Sequence, residues 1–196
     1  MPTTNQNNTD YVSAGKPKIG GAIFMAPLGT ALPTNATSEL PAAYQCLGYV
    51  SEDGLAENIT RTTTDIREWG GGVVDSEQTD FSDSYSYKLI EATNPVVLKH
   101  TFGEESVSGD LTAGLKLKVG PASNPDPCVL VVDTIHKGYL KRQVLPNAQA
   151  AEIGEIAYKR DEAVGYAITT KAMLDADGYT HYEYMVAAPA AANAGS

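Results

Sequence analysis

The stretch Phe81-Ser82-Asp83-Ser84-Tyr85-Ser86-Tyr87-Lys88-Leu89-Ile90 decides the fold class. Phe81, Tyr85, Tyr87 and Leu89 fall on one side of a two-residue repeat. Ser82, Ser84, Ser86 and Lys88 fall on the other. Successive side chains of a strand point to opposite faces, so this pattern predicts a strand with one face buried. Upstream, Ala56 to Thr64 alternates more loosely and carries the β-favouring Thr62-Thr63-Thr64 run. Gly70-Gly71-Gly72, after Trp69, separates the two and reads as a flexible loop. Further upstream, Tyr44 to Val50 is a short strand. Lys18 to Ala26 is a first strand softened by Gly20 and Gly21. Pro27, Gly29, Pro33 and Pro41 punctuate the loop between them.

Downstream the pattern changes once and then returns. Asn94 is a good helix N-cap, and Pro95 takes the first helical position, where a missing N–H costs nothing. Val96 to Phe102 supplies about two turns, and Gly103 ends them. Leu115, Leu117 and Val119 then alternate with Lys116 and Lys118. Cys128 to His136 is continuously apolar, as expected of a strand buried on both faces. Tyr139 to Leu145 pairs with it across Lys137-Gly138. Glu152 to Tyr158 and Val164 to Leu174 form a hairpin around Lys159 to Glu162. Asp177-Gly178 is a hairpin turn leading to Tyr179 to Tyr184. The expectation is about nine strands and one short helix: a mainly β chain.

Composition narrows the function. Of 196 residues, 42% are hydrophobic and 19% charged, which suits a globular protein and excludes wholesale disorder. The 18 Gly, 11 Pro and 11 Tyr fit a turn-rich chain. A net charge of −10 argues against ordinary nucleic-acid binding, which needs cations to neutralise phosphates, and against docking on an anionic membrane. Residues 51–85 hold nine acids and two bases, whereas residues 115–145 hold five bases and two acids. Two such segments meet within one subunit, meet between subunits, or stay solvated. The polar start of the chain lacks a signal-peptide pattern, and no apolar run is long enough for a bilayer. Cys46 and Cys128 read as two buried thiols of a protein in a reducing cytoplasm.

No constellation for catalysis stands out. His100, His136 and His181 are scattered, without ligands at metal-site spacing, and read as ordinary surface or interface histidines. Nucleophile-elbow, phosphate-loop and dinucleotide motifs are missing. Asp175-Ala176-Asp177-Gly178 lacks the third oxygen ligand and the distal Glu of a calcium loop, which leaves a plain turn. Glu104-Glu105 reads as a solvated pair. Catalytic, cofactor-binding and metal-binding residues are therefore expected to be none, and no cofactor is expected.

An ordered set of segments resembles the tail tube (major tail) proteins of long-tailed, non-contractile bacteriophages. Gly15-Lys16-Pro17-Lys18-Ile19-Gly20-Gly21-Ala22-Ile23-Phe24 is similar to the family's opening strand. Ala26 to Pro33 followed by Leu47-Gly48-Tyr49-Val50-Ser51-Glu52-Asp53-Gly54-Leu55 resembles its passage into a long loop. Ile66-Arg67-Glu68-Trp69-Gly70-Gly71 resembles that loop's aromatic-glycine element. Leu89 to Ala92, Val97 to Lys99, Leu145 to Ala148, Tyr158-Lys159 and Asp175 to Gly178 complete a match over roughly residues 13–185.

The resemblance implies a β-sandwich or half-barrel with one short α-helix, its inner sheets joining into a hexameric β-barrel ring. Rings would stack into a tube, with the tape measure protein inside during assembly and tail terminator and tail-tip proteins at the ends. Genomic DNA would pass in transit, not bound specifically, and an acidic wall would help it through. The expected division is an N-terminal arm (1–16), a tail tube domain (17–185, with an extended acidic loop or hairpin over 51–80) and a C-terminal tail (186–196). A further immunoglobulin-like domain, carried by some relatives, is expected to be absent. Localisation would be the virion tail after assembly in the host cytoplasm, without membrane contact. Arg67, Glu68, Trp69, Gly70, Gly71 and Gly72 are the candidate inter-subunit or inter-ring contacts, with Trp69 either an aromatic anchor or an ordinary core residue. The main alternative is a stand-alone β-sandwich binding carbohydrate or protein, with Tyr179, Tyr182 and Tyr184 as an aromatic platform. A small hydrolase, a contractile-tail or secretion-tube ring protein and a head decoration protein are the further readings.

Overall fold

The computed structural model describes residues 7–18 and 20–188. At its centre lies β8 (Cys128–His136), and Cys128 to Asp133 are buried on both faces, as the apolar run predicts. The chain reverses at Lys137-Gly138, both at positive φ, into β9 (Tyr139–Ile153), with Val131 opposite Val144 and Leu130 opposite Leu145. Strand β9 is one 15-residue element where the sequence suggests two. Pro146 is tolerated inside the strand because the ladder is irregular there, between the Leu130–Leu145 and Cys128–Ala148 pairs.

The remaining strands add to the two outer edges of this pair. On the β8 side, β1 (Gly15–Pro17) takes one half of β8 and β2 (Ile23–Pro27) the other, with β3 (Gln45–Cys46) outside β2. The strand expected over Lys18 to Ala26 begins only at Ile23, after Gly20 and Gly21 at φ 95° and 139°, and a separate short strand, β1, precedes it. On the β9 side, β10 (Tyr166–Ala172) takes the second half and β11 (Tyr182–Ala187) the first. Then β5 (Val73–Leu89) pairs with β10, and β4 (Val50–Arg67) pairs with β5. The Asp177-Gly178 turn does not make a hairpin. Both edges of β10 are already occupied, by β9 and β5, so β11 passes on to the open stretch of β9.

The result is one nine-stranded antiparallel sheet, with β6 (Val107–Asp110) and β7 (Gly114–Leu117) as a separate hairpin. The mainly β class with one helix holds. Nine strands form one hydrogen-bonded sheet, and among the described residues it does not close into a barrel.

Alternation along β8 feeds two cores. Leu130 and Val132 join Ile23, Leu47, Tyr87, Leu89, Leu145 and Ile168 on one face. Helix α1 (Pro95–Phe102) closes that core with Val97, Leu98 and Phe102. The Asn94 side chain accepts from Val96 N–H, and Gly103 follows the last turn at φ 93°, as the sequence predicts. Val129 and Val131 join Ala26, Tyr44 and Val144 on the other face.

The loop over that second face is pinned by Arg142, which is 0% exposed. Its Nε and Nη2 each donate to Asp133 at 2.7 Å, and its Nη1 donates to the carbonyls of Asn35 and Ser38. Arg142 and Asp133 sit opposite each other in the β8–β9 ladder. A base counted in the positive segment is thus neutralised inside the subunit. His100 also departs from its surface reading. It is buried in α1, hydrogen-bonded to Tyr87 Oη at 2.8 Å, and burial drives its pKa down to about 4.

Candidate functional site

Strands β4 and β5 are far longer than the sheet needs. The β10 partner of β5 ends at the Ala172–Asp83 pair, yet β5 continues paired to β4 from there to Val73. The excess, Ile59 to Arg67 against Val73 to Asp83, is a two-stranded arm about 30 Å long at 3.3 Å per residue. Nearly every residue on it is exposed, including Ile59, Ile66, Trp69, Val73 and Val74. Phe81 is half-buried beneath Arg61, whose guanidinium lies 5.6 Å from the ring centroid. The acids Asp65, Glu68, Asp75, Glu77 and Asp80 line the same arm.

All six sequence-flagged residues, Arg67 to Gly72, lie at the tip. Trp69 is fully exposed, which removes the core reading. The glycines form an ordered turn instead of an open flexible loop. Glu68 accepts from Gly70 N–H at 2.8 Å and from Gly72 N–H at 3.1 Å. Those bonds hold its carboxyl below the usual carboxylate range. Arg67 donates to Gly71 O and pairs with Asp65. A Cβ at Gly70 would sit 2.6 Å from a Glu68 carboxylate oxygen, so a larger residue there would push that side chain off its amide bonds. The amide cluster that a phosphate loop would offer to a ligand is here filled by the chain's own carboxylate.

The arm's root holds a cluster that sequence reasoning missed. Asp83, 2% exposed, accepts from Thr180 Oγ1 at 2.8 Å and contacts His181 Nδ1 at 2.7 Å. On the ring's far side, Nε2 lies 3.5 Å from Glu57. Glu57 also accepts from Gln143 Nε2, which donates to Glu183 as well, and Glu183 pairs with Lys141 at 2.6 Å. The hydrogen bond to Asp83 raises the His181 pKa against the opposing pull of burial. Burial raises the Glu183 carboxyl, but Lys141, Gln143 and His181 together outweigh it and the net shift is downward. Tyr85 packs edge-on to His181, its hydroxyl pushed up by burial and by Asp83 and Glu57. The one available signal was parity: Asp83 shares the two-residue repeat of Phe81, Tyr85 and Tyr87 and so points inward. The histidine comes from 98 residues away, and no local spacing announces it.

A long, paired, solvent-bare hairpin on an antiparallel sheet suits a protein built to be gripped by neighbours. The family comparison decides what kind. A model of the phage tail tube protein family matches residues 4–195. The chain belongs to that family. This tail tube protein is therefore a structural component of a phage virion tail. No curated protein sequence matches it. Membership in a structural family also favours a role without catalysis. Among the described residues no helix is long and apolar enough to cross a membrane.

The other expectations for this tail tube protein resolve individually. Cys46 and Cys128 are free, and burial pushes the Cys128 thiol up to about 12. Asp175 closes a turn by accepting from the N–H groups of Asp177 and Tyr179. Glu104 pairs with Lys99, and Glu105 is exposed. Tyr179 and Tyr182 pack ring against ring, with centroids 5.8 Å apart. Tyr182 is tied by its hydroxyl to Asp175 at 2.6 Å, and Tyr184 packs onto the second core.

Proposed function

We propose that this protein self-assembles into stacked hexameric rings forming the tail tube of a long-tailed, non-contractile phage, the conduit for genome delivery. The observation that carries the reading is the arm. A hairpin standing alone is marginal in water, and this one leaves five large apolar side chains exposed along some 30 Å. Its stable setting is against another subunit. Arg67, Glu68, Trp69, Gly70, Gly71 and Gly72, at the end of that reach, are the contacts with a neighbouring subunit or ring, with Trp69 as the anchor. The division into an arm at 1–16, a tube domain at 17–185 and a tail at 186–196 belongs to the same proposal. Residues 1–6 and 189–196 lie outside the described residues.

The partners are further copies of the chain, the tape measure protein in the lumen, and terminator and tip proteins at the tube ends. DNA passes without being held, consistent with the net charge of −10. Assembly takes place in the host cytoplasm. Negative-stain electron microscopy of the purified chain, with light scattering on the same sample, tests the reading. Hollow rings or tubes with six-fold views are expected. A monomer that persists even with tape measure and tip proteins added would overturn it. Trimming residues 1–16 should impair polymerisation while the domain stays folded.

A further inference from the structure

We propose that Glu57, Asp83 and His181 bind a divalent transition-metal cation of the zinc class at the root of the arm. One carboxylate oxygen from each acid and one ring nitrogen of the histidine lie within 4.8 Å of one another. Imidazole plus carboxylate is a donor set that zinc accepts at about 2.0–2.2 Å, with water completing the coordination. Ligands around such an ion sit about 3.3 Å apart, so closure requires shifts on the order of an ångström.

An independent observation points to a missing partner. Asp83 is 2% exposed, and its Oδ2 meets Thr180 and His181, but its Oδ1 has no hydrogen-bond partner. A buried carboxylate oxygen left unpaired is costly, and an ion is one of the standard remedies. Local charge agrees. Three carboxylates face the cluster: Glu57 from β4, Asp83 from β5 and Glu183 from β11. Lys141 on β9 is engaged with Glu183. Tyr85, Gln143 and Thr180, which complete the surroundings, bring no positive charge. His181, in proton-bearing form, otherwise faces Glu57 and Asp83. A dication replacing that proton would neutralise both acids.

Of the three ligands, Glu57 faces a groove that is also lined by Lys141, Gln143, Leu55, Val132 and Lys18. The consequence is mechanical. The three ligands come from β4, from β5 and from the residue preceding β11, so one ion ties the arm's root to the segment that enters β11.

The test is calorimetric titration of ZnCl2 into the full chain after dialysis against EDTA, with thermal denaturation on the same samples. It uses the soluble subunit and does not depend on tube formation. The expected result is one site per chain, a raised Tm with zinc, and affinity that falls as pH is lowered from 7.5 to 5.5, because the imidazole must shed its proton to coordinate. His181→Gln should abolish binding at concentrations that saturate the parent. Glu57→Gln, at a partly exposed position, should weaken it and provides the test if the histidine variant does not fold. Cobalt(II) in place of zinc should give a visible absorption band that both substitutions remove. No heat and no Tm shift at millimolar zinc would overturn the proposal, as would binding that survives both substitutions.

Discussion

The two ends of β5 obey opposite rules. From Asp83 to Leu89 every second residue is buried, and the strand is paired on both edges, to β10 and β4. From Val73 to Asp80 nothing is buried, and β4 is the only partner. The β4 ladder runs along both halves, but the outer half has neither β10 on its other edge nor cover over its side chains. That difference separates residues serving the subunit's stability from residues left bare. Substitutions in the body should therefore cost folding energy, whereas substitutions on the arm should cost assembly alone.

The largest expected loss is in the body. Arg142→Ala leaves Asp133 buried without its bidentate partner and frees the carbonyls of Asn35 and Ser38. Breaking such a pair from one side costs about 3–5 kcal/mol. Denaturant unfolding of the soluble subunit checks this, and a loss below about 1 kcal/mol would break the comparison.

Next is acid sensitivity centred on His100. Its pKa is about 4 in the fold against an ordinary 6.5, so between those values the unfolded chain binds the proton and the native one resists it. That contribution is complete above pH 6.5 and is lost as pH falls toward 4, by about 3 kcal/mol. Stability measured across this window should lose that part of its slope in His100→Gln.

A smaller effect belongs to the helix that caps the first core. Asn94→Ala removes the side-chain acceptor for Val96 N–H and should cost about 1 kcal/mol, read as a lower Tm.

The smallest effect on stability is expected at the tip. Trp69→Ala touches a fully exposed side chain, so unfolding should change by no more than about 0.5 kcal/mol. Its tube yield by electron microscopy should nevertheless fall sharply. A Tm drop comparable to that of the body variants would show that the tip packs on its own subunit.

Much of this was legible because it is local. The 81–90 alternation, the uninterrupted Cys128–His136 strand, the Lys137-Gly138 turn and the Asn94-Pro95…Gly103 helix each rest on backbone preferences and side-chain periodicity within a few residues. The positions that misled were those where a non-local partner overrode a local signal. Tyr139 to Leu145 and Glu152 to Tyr158 look like separate strands until one irregular ladder carries β9 through from Tyr139 to Ile153. Asp177-Gly178 looks like a hairpin until β5 takes the edge that β11 would need. The glycine triplet looks slack until Glu68 folds back on it. At the candidate site, the tip was readable from an aromatic beside glycines, but the root was not, since Glu57, Asp83 and His181 meet only when β4, β5 and β11 are brought together.

By itself, then, the sequence determined a mainly β chain with one helix, an acidic excursion around Trp69 and the segments that mark the tail tube family. Periodicity, capping and composition act over short stretches and need no partner to be read. Only the tertiary structure decided that the strands share one sheet, that Trp69 is bare, that Arg142 and His100 are interior, and that a histidine and two acids converge beneath the arm. Those outcomes depend on which edges remain open and which side chains lose water, and both are set by the whole chain at once.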